Sequence, residues 1–422
     1  MIADGLQSFA GKKVLLLQGP VGPFFRRLAR DLQRAGAQVQ KVDFNGGDWL
    51  FSPRKAMRFS GNADSWAGYL DKALTRHRID VVLLFGDCRP LHRIALDVAA
   101  RRGVEIGVFE EGYVRPDFVT LERHGVNGNS KIPRNPEFYK ARSAAPQLPT
   151  RPVGNTFWYM ALWAMAYYVA AALLSPAYPG YRHHRPLGLG EGWPWLRSAF
   201  RKHLFKWRER GIEHDLASHY SGRFFLAALQ VHNDAQIHAH SEYASVEAFI
   251  AGVIKSFRRG APRDTLLVIK HHPMDRGYHD YSRQIAALVR EYGLHGRVRY
   301  IHDQHLPTLL THARGVVLIN STVGLSALDH CTPLKVCGTA LYDLPGLTFQ
   351  GRLDDFWREA VHHRVDKVLS ASLRNYLIDR TQLNGNFYRR LRVPGFSAGL
   401  VWSPRIRGVH DAANAGINRR VA

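Results

Sequence analysis

The strongest constraint on the fold is a pattern that occurs twice along the chain: short apolar runs alternate with amphipathic stretches. In the first 125 residues the apolar runs are VLLLQG (14–19), QVQKVDF, VVLLFG (81–86) and VEIGVFEEG (104–112), which read as four buried strands. From residue 223 a second series follows with FFLAALQV, TLLVIKHHP, RVRYIH, GVVLIN and PLKVCG, and it includes the helical SVEAFIAGVIKSFRRG. Because strands that alternate with helices build parallel sheets, each series predicts a Rossmann-like domain.

The predicted fold class is therefore α/β and GT-B-like, with two Rossmann-like domains that face each other across a cleft and a helical insertion between them. We expect an N-terminal domain over residues 1–150, an apolar and basic helical segment over 151–221, and a C-terminal domain over 222–380. Residues 381–422 read as a helix and tail that pack back on the N-terminal domain, with a loosely ordered end after Pro404. Other two-domain α/β enzymes would give the same order of elements, so this order does not establish a function.

Between the two series lies an uncharged run of eighteen residues, FWYMALWAMAYYVAAALL (157–174). Asn155 and Thr156 offer an N-cap, and Ser175-Pro176 ends the predicted helix. The run reaches the lower length limit of a transmembrane helix, about 17 to 25 residues, but a span would separate the two domains. Its many Trp, Tyr and Met side chains favour a partly buried helix or one at a membrane interface, and a core or dimer helix and a span are the alternatives.

The charge of the chain indicates an anionic partner: 58 Lys and Arg stand against 35 Asp and Glu, a net charge of +23 with neutral His. Residues 181–210 concentrate this charge, with eight Lys or Arg, two Glu and five interleaved Trp or Phe. This mixture is typical of a surface on anionic lipid headgroups, and a solvated basic helix with its aromatic side chains packed inward is the alternative. The sequence has no RRM, KH or helix-turn-helix signature, so nucleic acid is not the expected partner.

Cysteine and histidine usage predicts a cytoplasmic protein without a structural metal. Cys88, Cys331 and Cys337 cannot form a disulfide framework, and the N-terminal MIADGLQSFAGKK lacks the pattern of a signal peptide. The His pairs, such as His271-His272, are adjacent rather than spaced as helical ligands, and no Asp-x-Asp triplet occurs. We therefore expect neither a metal nor another cofactor.

Polar and glycine-rich loops follow the strands of the N-terminal series, at the edge where a cleft would lie. The loop GPVGPF is not a GxGxxG fingerprint, because Pro23 removes an amide that a pyrophosphate would need. A dinucleotide-binding dehydrogenase is therefore disfavoured. The predicted substrate-binding residues of these loops are Gly19, Gly22, Asn45, Gly47, Asp48, Asp87 and Arg89.

Two adjacent carboxylates, Glu110 and Glu111, follow the strand VEIGVF. Successive side chains of a strand point to opposite faces, so at most one of the two faces the cleft. A carboxylate in the cleft could act as a base or as a nucleophile at an anomeric carbon. An ordinary solvated Glu-Glu pair is the alternative.

The C-terminal series carries two phosphate-binding candidates at strand ends, where ligands of open α/β sheets bind. KHHP (270–273) follows TLLVIK, and a His there can donate a charge-assisted hydrogen bond to phosphate, although a structural role is an equal alternative. NSTVG (320–324) ends GVVLIN and opens a helix, so its amides and two hydroxyls form a phosphate cradle. The predicted donor-binding residues are Lys270, His271, His272, Pro273, Asn320, Ser321, Thr322 and Gly324.

Taken together, the ordered motifs resemble one family. QGPVGPFFRRLA, FNGGDW, GDCRPLH, EEGYVRPDFVTLE, ALQVHNDAQI, IKHHPMDRGYHDY, INSTVGLSAL and CGTALYDLPGL are similar to those of the capsule polysaccharide biosynthesis and export family of KpsS, also called LipB. The resemblance covers residues 12–360.

The resemblance implies a β-Kdo glycosyltransferase at the inner face of the cytoplasmic membrane of a Gram-negative bacterium. It would transfer 3-deoxy-D-manno-octulosonic acid (Kdo) from CMP-Kdo onto a phosphatidylglycerol-type lipid and so start the poly-Kdo linker of a capsule. The implied partners are the CMP-sugar donor, the anionic lipid acceptor, the inner-leaflet surface and other capsule biosynthesis or export proteins. Alternatives are another CMP-linked acidic sugar, a non-lipid glycan acceptor, and a non-catalytic component of an export complex.

The same resemblance implies roles in the donor site. His272 with Pro273 would hold the CMP phosphate, Ser321 and Thr322 would complete the site, and Gln230 in ALQVHNDAQI would join them.

It also implies a catalytic group made of Glu111, Glu110 and Arg115. Related Kdo transferases carry a Glu-Asp-Gly segment whose Asp is the proposed nucleophile of a retaining reaction. Here the segment is Glu-Glu-Gly, so Glu111 falls on that position with one extra methylene. Arg115 and Arg89 would bind the Kdo carboxylate, because Arg matches a carboxylate bidentately.

Overall fold

The structure is a computed structural model, and it describes residues 5–53, 55–142, 150–182 and 192–402. Its strands form two separate sheets, one of seven strands and one of five. This arrangement, with a helical insertion between the two α/β units, is the predicted GT-B-like organisation. Arg185 and Glu191 of the basic segment, and the tail after Pro404, lie outside the described residues.

The N-terminal sheet has the strand order β12-β6-β5-β4-β1-β2-β3. The central strands β2, β1, β4 and β5 are parallel, as predicted, whereas β6 pairs with its neighbours antiparallel. The elements of this domain are β1 Lys13–Leu16, α1 Phe24–Arg34, β2 Gln38–Asp43, α2 Gly46–Leu50, β3 Met57–Arg58, α3 Ala63–His77, β4 Val81–Phe85, α4 Pro90–Arg101, β5 Glu105–Glu111, β6 Phe118–Arg123 and α5 Pro136–Lys140, together with β12 Gln382–Asn384 from the end of the chain.

The C-terminal sheet has the order β11-β10-β7-β8-β9 and is parallel throughout. Its elements are β7 Phe224–Ala228, α9 Ala235–His240, α10 Val246–Gly260, β8 Leu266–Lys270, α11 Ser282–Glu291, β9 Val298–Ile301, α12 Leu306–His312, β10 Gly315–Leu318, α13 Val323–Asp329, β11 Leu334–Val336, α14 Leu353–Glu359 and α15 Lys367–Thr381. The insertion between the sheets contains α6 Phe157–Leu173, α7 Gly192–Arg208 and α8 Ile212–Ala217.

Local sequence signals explain the bounds of several helices. The side chains of Asn62 and Ser245 accept the amides of Ser65 and Ala248, so they cap α3 and α10 as such residues commonly do. Gly36 has φ of 90°, a left-handed conformation that favours glycine, and it lies just beyond the end of α1.

The chain after α15 packs on the N-terminal sheet. Strand β12 pairs antiparallel with β6, and the ring of Phe387 lies edge-on to Phe24 at 4.8 Å between centroids. Leu400 and Trp402 are buried in the same cluster. Residues near the end of the chain therefore complete the N-terminal core. The four strands predicted for this domain did not include β12.

Helix α6 is partly buried. Ala164, Tyr167 and Ala171 are buried, while Trp158 and Leu173 have exposed fractions of 75% and 74%. Across the ranges that the structure describes, no helix combines the length and the apolar character needed to cross a membrane.

Candidate active site

The loops after the strands bring the two domains into contact. Gln236, in α9 of the C-terminal domain, donates to Sγ of Cys88 over 3.4 Å, and Nε2 of His240 lies 3.7 Å from the same sulfur. Cys88 follows β4 of the N-terminal domain directly. The loop at the carboxyl end of β4 thus contacts the C-terminal domain. In open α/β sheets this is the edge where ligands bind.

Glu110 lies on the side of β5 that faces this contact. Its Oε1 accepts the amide of Glu111 over 2.9 Å. The pKa of Glu110 is raised to about 7, chiefly by burial and in smaller part by the charges of Glu111 and Asp87, which outweigh the lowering by Arg89. A carboxyl group with a pKa near neutrality beside an arginine is suited to proton transfer or nucleophilic attack at physiological pH.

Glu111 has different surroundings. Its Oε1 accepts the hydroxyl of Tyr388 over 2.9 Å, and Tyr388 belongs to the chain after β12. The alternation along β5 therefore separates the two carboxylates, as the sequence predicts, and assigns Glu110 to the side of Asp87 and Cys88.

The loops after β1 and β2 bind helix α6. The amide of Gln18 donates to Oδ2 of Asp48 over 3.1 Å and to the hydroxyl of Tyr167 over 3.1 Å. Nδ2 of Asn45 donates to the same hydroxyl over 2.8 Å. Asn45 and Asp48 are buried and their side chains bind Tyr167 of α6, and a substrate role for them stays a prediction.

Three predicted substrate glycines also have packing roles. A Cβ on Gly47 would lie 2.6 Å from the ring of Tyr167, and one on Gly22 would lie 2.9 Å from Trp163, both in α6. A Cβ on Gly19 would lie 2.8 Å from the ring of Phe25. These glycines permit close approach of neighbouring elements, and a substrate role for them stays a prediction.

Asp87 and Arg89 differ in accessibility. Asp87 is fully buried, and its Oδ2 accepts the amide of Val126 over 2.9 Å and Nδ2 of Asn129 over 3.1 Å. This holds the loop after β6, and a substrate contact of Asp87 stays a prediction. Arg89 is partly exposed, and its Nη1 donates to Oε1 of Gln18 over 2.9 Å.

His272 is the centre of a cationic group in the C-terminal domain. Its pKa is lowered to about 4, chiefly by burial and in smaller part by the positive charges of Arg115, Lys270 and Arg276. Arg115 is an exposed residue of the N-terminal domain, so two predicted site residues from different domains act on each other here. The neutral ring accepts the amide of Met274 at Nδ1 over 3.2 Å, which leaves the proton on Nε2 as a donor for an anion.

The neighbours of His272 play supporting roles. Lys270 is buried and donates to the carbonyl of His302 over 3.0 Å, and Pro273 is exposed at the start of a short helical turn. His271 is 2% exposed and shares a 2.6 Å hydrogen bond with the hydroxyl of Tyr300, and burial lowers its pKa to about 3. His271 thus lies in the core beside Tyr300, and its phosphate contact stays a prediction.

The loop after β10 joins the loop after β7. Nε2 of Gln230 donates to Oδ1 of Asn320 over 3.0 Å and to Oδ2 of Asp234 over 3.0 Å. The amide of Asn320 donates back to Oε1 of Gln230 over 3.2 Å. This pair ties two adjacent strand ends together, which leaves little of either side chain for a ligand.

Ser321 and Thr322 are partly exposed at the start of α13, where the Ser321 hydroxyl accepts the amide of Val323 over 3.2 Å. Gly324 is buried, and a Cβ there would collide with the ring of Tyr342. The hydroxyls of Ser321 and Thr322 therefore remain candidates for a ligand, whereas Gly324 serves packing.

His232 and Asp275 form a pair that the sequence did not single out. Asp275 is fully buried, and its carboxylate accepts the amide of His232 over 2.7 Å and Nδ1 of His232 over 2.5 Å. In this bond the carboxylate of Asp275 accepts, so Nδ1 of His232 is the donor. The sequence signal for His232 was the polar run HND that follows the strand FFLAALQV. Its partner Asp275 could not be found from that run, because the two residues are far apart in sequence.

The arrangement can bind a compound with two neighbouring negative charges. Arg115, Lys270 and Arg276 supply positive charge around the Nε2–H donor of His272. Glu110 and Arg89 lie at the strand ends of the domain that supplies Arg115. Each domain thus contributes charged groups at its strand ends, the cations beside His272 and the carboxyl group of Glu110 beside Arg89.

Comparison with known proteins identifies the family. Residues 80–388 match the family described as "Capsule polysaccharide biosynthesis protein". The capsule polysaccharide export protein KpsS of Escherichia coli is 43% identical over 384 residues, which is 90% of this chain and 97% of KpsS. The capsule polysaccharide modification protein LipB of Neisseria meningitidis serogroup B is 41% identical over 406 residues, 93% of this chain and 96% of LipB.

Solved structures resemble the chain more distantly. HepE of Anabaena, solved in complex with UDP-glucose, is 11% identical and covers 87% of this chain and 96% of its own, with a TM-score of 0.35.

Proposed function

The chain belongs to the capsule polysaccharide biosynthesis family, and on that premise we propose that it is a glycosyltransferase for CMP-Kdo. In this proposal it moves Kdo onto a phosphatidylglycerol-type lipid at the inner face of the cytoplasmic membrane and starts a poly-Kdo linker. The observation that carries the proposal is the cationic group of Arg115, Lys270 and Arg276 around His272.

The charge of the donor fits this group. CMP-Kdo carries a phosphodiester charge and a sugar carboxylate on the two sides of the reacting carbon. The Nε2–H of His272 donates to the phosphate, with Ser321 and Thr322 completing the contact, and Arg115 and Arg89 bind the sugar carboxylate. One phosphate charge is neutralised by these side chains, so the proposal uses no metal.

Glu110 is the proposed reacting carboxylate. Its oxygen attacks the anomeric carbon while the bond from that carbon to the phosphate oxygen breaks and CMP leaves with the electron pair. The acceptor hydroxyl then attacks the same carbon and gives its proton to water, while the bond from that carbon to Glu110 breaks with its electron pair returning to the carboxylate, so the configuration is retained overall. Glu110 is preferred to Glu111, because Glu111 binds Tyr388 whereas Glu110 lies beside Arg89 and the interdomain contact.

The exposed apolar side chains of α6 support a lipid acceptor. Trp158, Leu162, Met165 and Leu173 are all exposed, and such a row is costly in water but favourable at a bilayer. A lipid headgroup would then reach the site from the membrane surface.

The test is a transferase assay with CMP-Kdo generated in situ and a fluorescent phosphatidylglycerol analogue, read by product mass. We expect a single added Kdo with the wild type, and loss of product in Glu110→Gln and His272→Ala. Exposed residues of the same types give the matched controls Glu359→Gln and His295→Ala, which should keep activity.

Three other results would change the proposal. Absence of product with wild type in the presence of CMP-Kdo would refute the donor and acceptor pair. Loss of product in Glu111→Gln but not in Glu110→Gln would transfer the catalytic role to Glu111. Full activity of His272→Ala would remove the proposed phosphate contact.

A further inference from the structure

Helix α7 packs one side against the protein and leaves another side exposed. Arg197, Arg201 and Phe205 recur every four residues, so they lie on one face, which we call the inner face. Trp193, Leu196, Phe200 and Trp207 lie on a second side, about a third of a turn around the helix axis, and because all four are exposed we call this side the outer face.

The inner face binds the loop that follows β8 and contains His272, here called the donor loop (residues 271–281). The Arg197 guanidinium donates to the carbonyl of Gly277 over 2.6 Å, and Nη1 of Arg201 donates to the carbonyl of Arg276 over 2.9 Å. Gly277 permits this approach, because a Cβ there would collide with the carbonyl oxygen of Pro194 in α7. The helix therefore lies directly on the backbone of the donor loop.

A second contact links α7 to Lys270 at the start of the same loop. Glu209 is buried just after the helix and accepts the amide of His302 over 3.0 Å and its Nδ1 over 2.5 Å. The ring of Phe205 stacks on His302 with 3.6 Å between centroids. The carbonyl of His302 in turn accepts Nζ of Lys270, so the end of α7 holds the acceptor of a donor-site lysine.

The outer face is apolar and is flanked by cations. Trp193, Leu196 and Phe200 each have an exposed fraction of 68%, and Trp207 has 67%. Lys202, Lys206, Arg208 and Arg210 are exposed beside them, and the one acidic residue of 192–210, Glu209, is buried. Large apolar side chains bordered by unopposed cations complement an anionic lipid surface in both polarity and charge.

We propose that the outer face of α7 docks on an anionic bilayer and that this docking stabilises the donor loop through the inner face. A bilayer stabilises the helix by burying its apolar side chains. A helix that unfolds locally less often keeps its hydrogen bonds to the carbonyls of Arg276 and Gly277 for a larger fraction of the time. The coupling is reciprocal, so a ligand that orders the donor loop also strengthens lipid binding. The inference rests on the proposed function only in taking this loop as the donor site.

The experiment measures amide hydrogen exchange of the full-length protein in peptides that cover residues 271–281. The probes are vesicles of phosphatidylcholine with phosphatidylglycerol, vesicles of phosphatidylcholine alone, and soluble glycerol phosphate. With the anionic vesicles we expect exchange in the donor loop to slow at least about fivefold, the lower end of measured couplings between sites. The other two probes should leave exchange unchanged.

Two variants separate docking from coupling. Phe200→Ala combined with Trp207→Ala should weaken vesicle binding by at least about tenfold, because it removes two large apolar side chains that a bilayer would bury. Arg197→Gln should keep vesicle binding and lose the slowed exchange. Circular dichroism of each variant without vesicles checks that it is folded.

Absence of binding to anionic vesicles would overturn the proposal, and so would bound protein whose donor loop exchanges as fast as in solution. A response to glycerol phosphate equal to that to vesicles would assign the effect to a free anion and would also overturn it. No nucleotide is present in the experiment, so failure of the CMP-Kdo assay leaves this test intact, and the reverse also holds.

Discussion

The hydroxyl of Tyr167 donates a 3.1 Å hydrogen bond to Oδ1 of Asp48, which joins the middle of the apolar helix α6 to the short helix α2 after β2. Both residues are buried, and burial raises the pKa of Asp48. The bond connects two features that the sequence presents separately, an apolar run and a glycine-rich loop. It fixes one side of α6 on the N-terminal domain and leaves the other side exposed.

Tyr167→Phe should lower the free energy of unfolding by about 1 to 3 kcal/mol, the usual cost of leaving a buried polar group without its partner. The substitution removes the donor to Asp48 and the acceptor of Asn45 while it keeps the ring. Urea unfolding followed by circular dichroism measures the change. Tyr159→Phe, at an exposed position of the same helix, is the control, and an equal effect of the two substitutions would contradict the prediction.

Gly46→Ala should destabilise the protein by about 1 to 3 kcal/mol, because overpacking forces neighbouring atoms to shift. The new Cβ would collide with the carbonyl oxygen of Ala170 and would lie 2.6 Å from Cβ of Leu174. Gly68→Ala is the matched control, since Gly68 is exposed within α3 and no atom lies within 4 Å of its added Cβ. Thermal unfolding should show a lower midpoint for Gly46→Ala alone, and a midpoint equal to wild type would count against the close contact of α2 with α6.

Phe387→Ala should cost about 3 to 5 kcal/mol of unfolding free energy, as expected for deletion of a buried aromatic ring. The ring is fully buried and lies edge-on to Phe24 and Phe85, at 4.8 and 5.2 Å between centroids. Phe157→Ala removes an exposed ring, and its effect should stay within about 0.5 kcal/mol. Denaturant titration of both variants tests whether residues after α15 contribute to the N-terminal core.

The free energy of unfolding should fall as pH rises from 4.5 to about 7. The reason is that burial raises the pKa of Glu110 from an ordinary 4.5 to about 7. The folded state binds the proton more tightly than the unfolded state, so the stabilisation is fully present below the ordinary pKa and is lost as pH rises through the folded pKa. Glu110→Gln should show a shallower decline of unfolding free energy between these values.

The slope in Glu110→Gln should not vanish, because burial also raises the pKa of Glu122 to about 7. The measurement is a set of urea titrations from pH 5 to pH 8. Slopes that coincide for wild type and Glu110→Gln would contradict the prediction.

Local patterns in the sequence were sufficient for much of the architecture. The apolar run VVLLF is β4, the uncharged run from Phe157 is α6, and Ser245 caps α10, because burial and hydrogen bonding of near neighbours decide such elements. Strand alternation also predicted correctly that Glu110 and Glu111 point to different sides.

The tertiary structure decided what each side chain contacts. His271 and His272 are adjacent and chemically identical, yet one is buried against Tyr300 and the other lies among cations from both domains. The pairing of His232 with Asp275 joins residues on different loops in the same way.

The sequence by itself therefore determined the α/β class, the parallel central strands and the positions of the loops, since these follow from periodicity and from the conformational preferences of near neighbours. Only the tertiary structure decided that Gly47 and Asp48 hold α6, that β12 completes the N-terminal sheet and that α7 lies on the donor loop. Contacts between distant residues depend on how whole elements pack, and packing is a property of all their surfaces together.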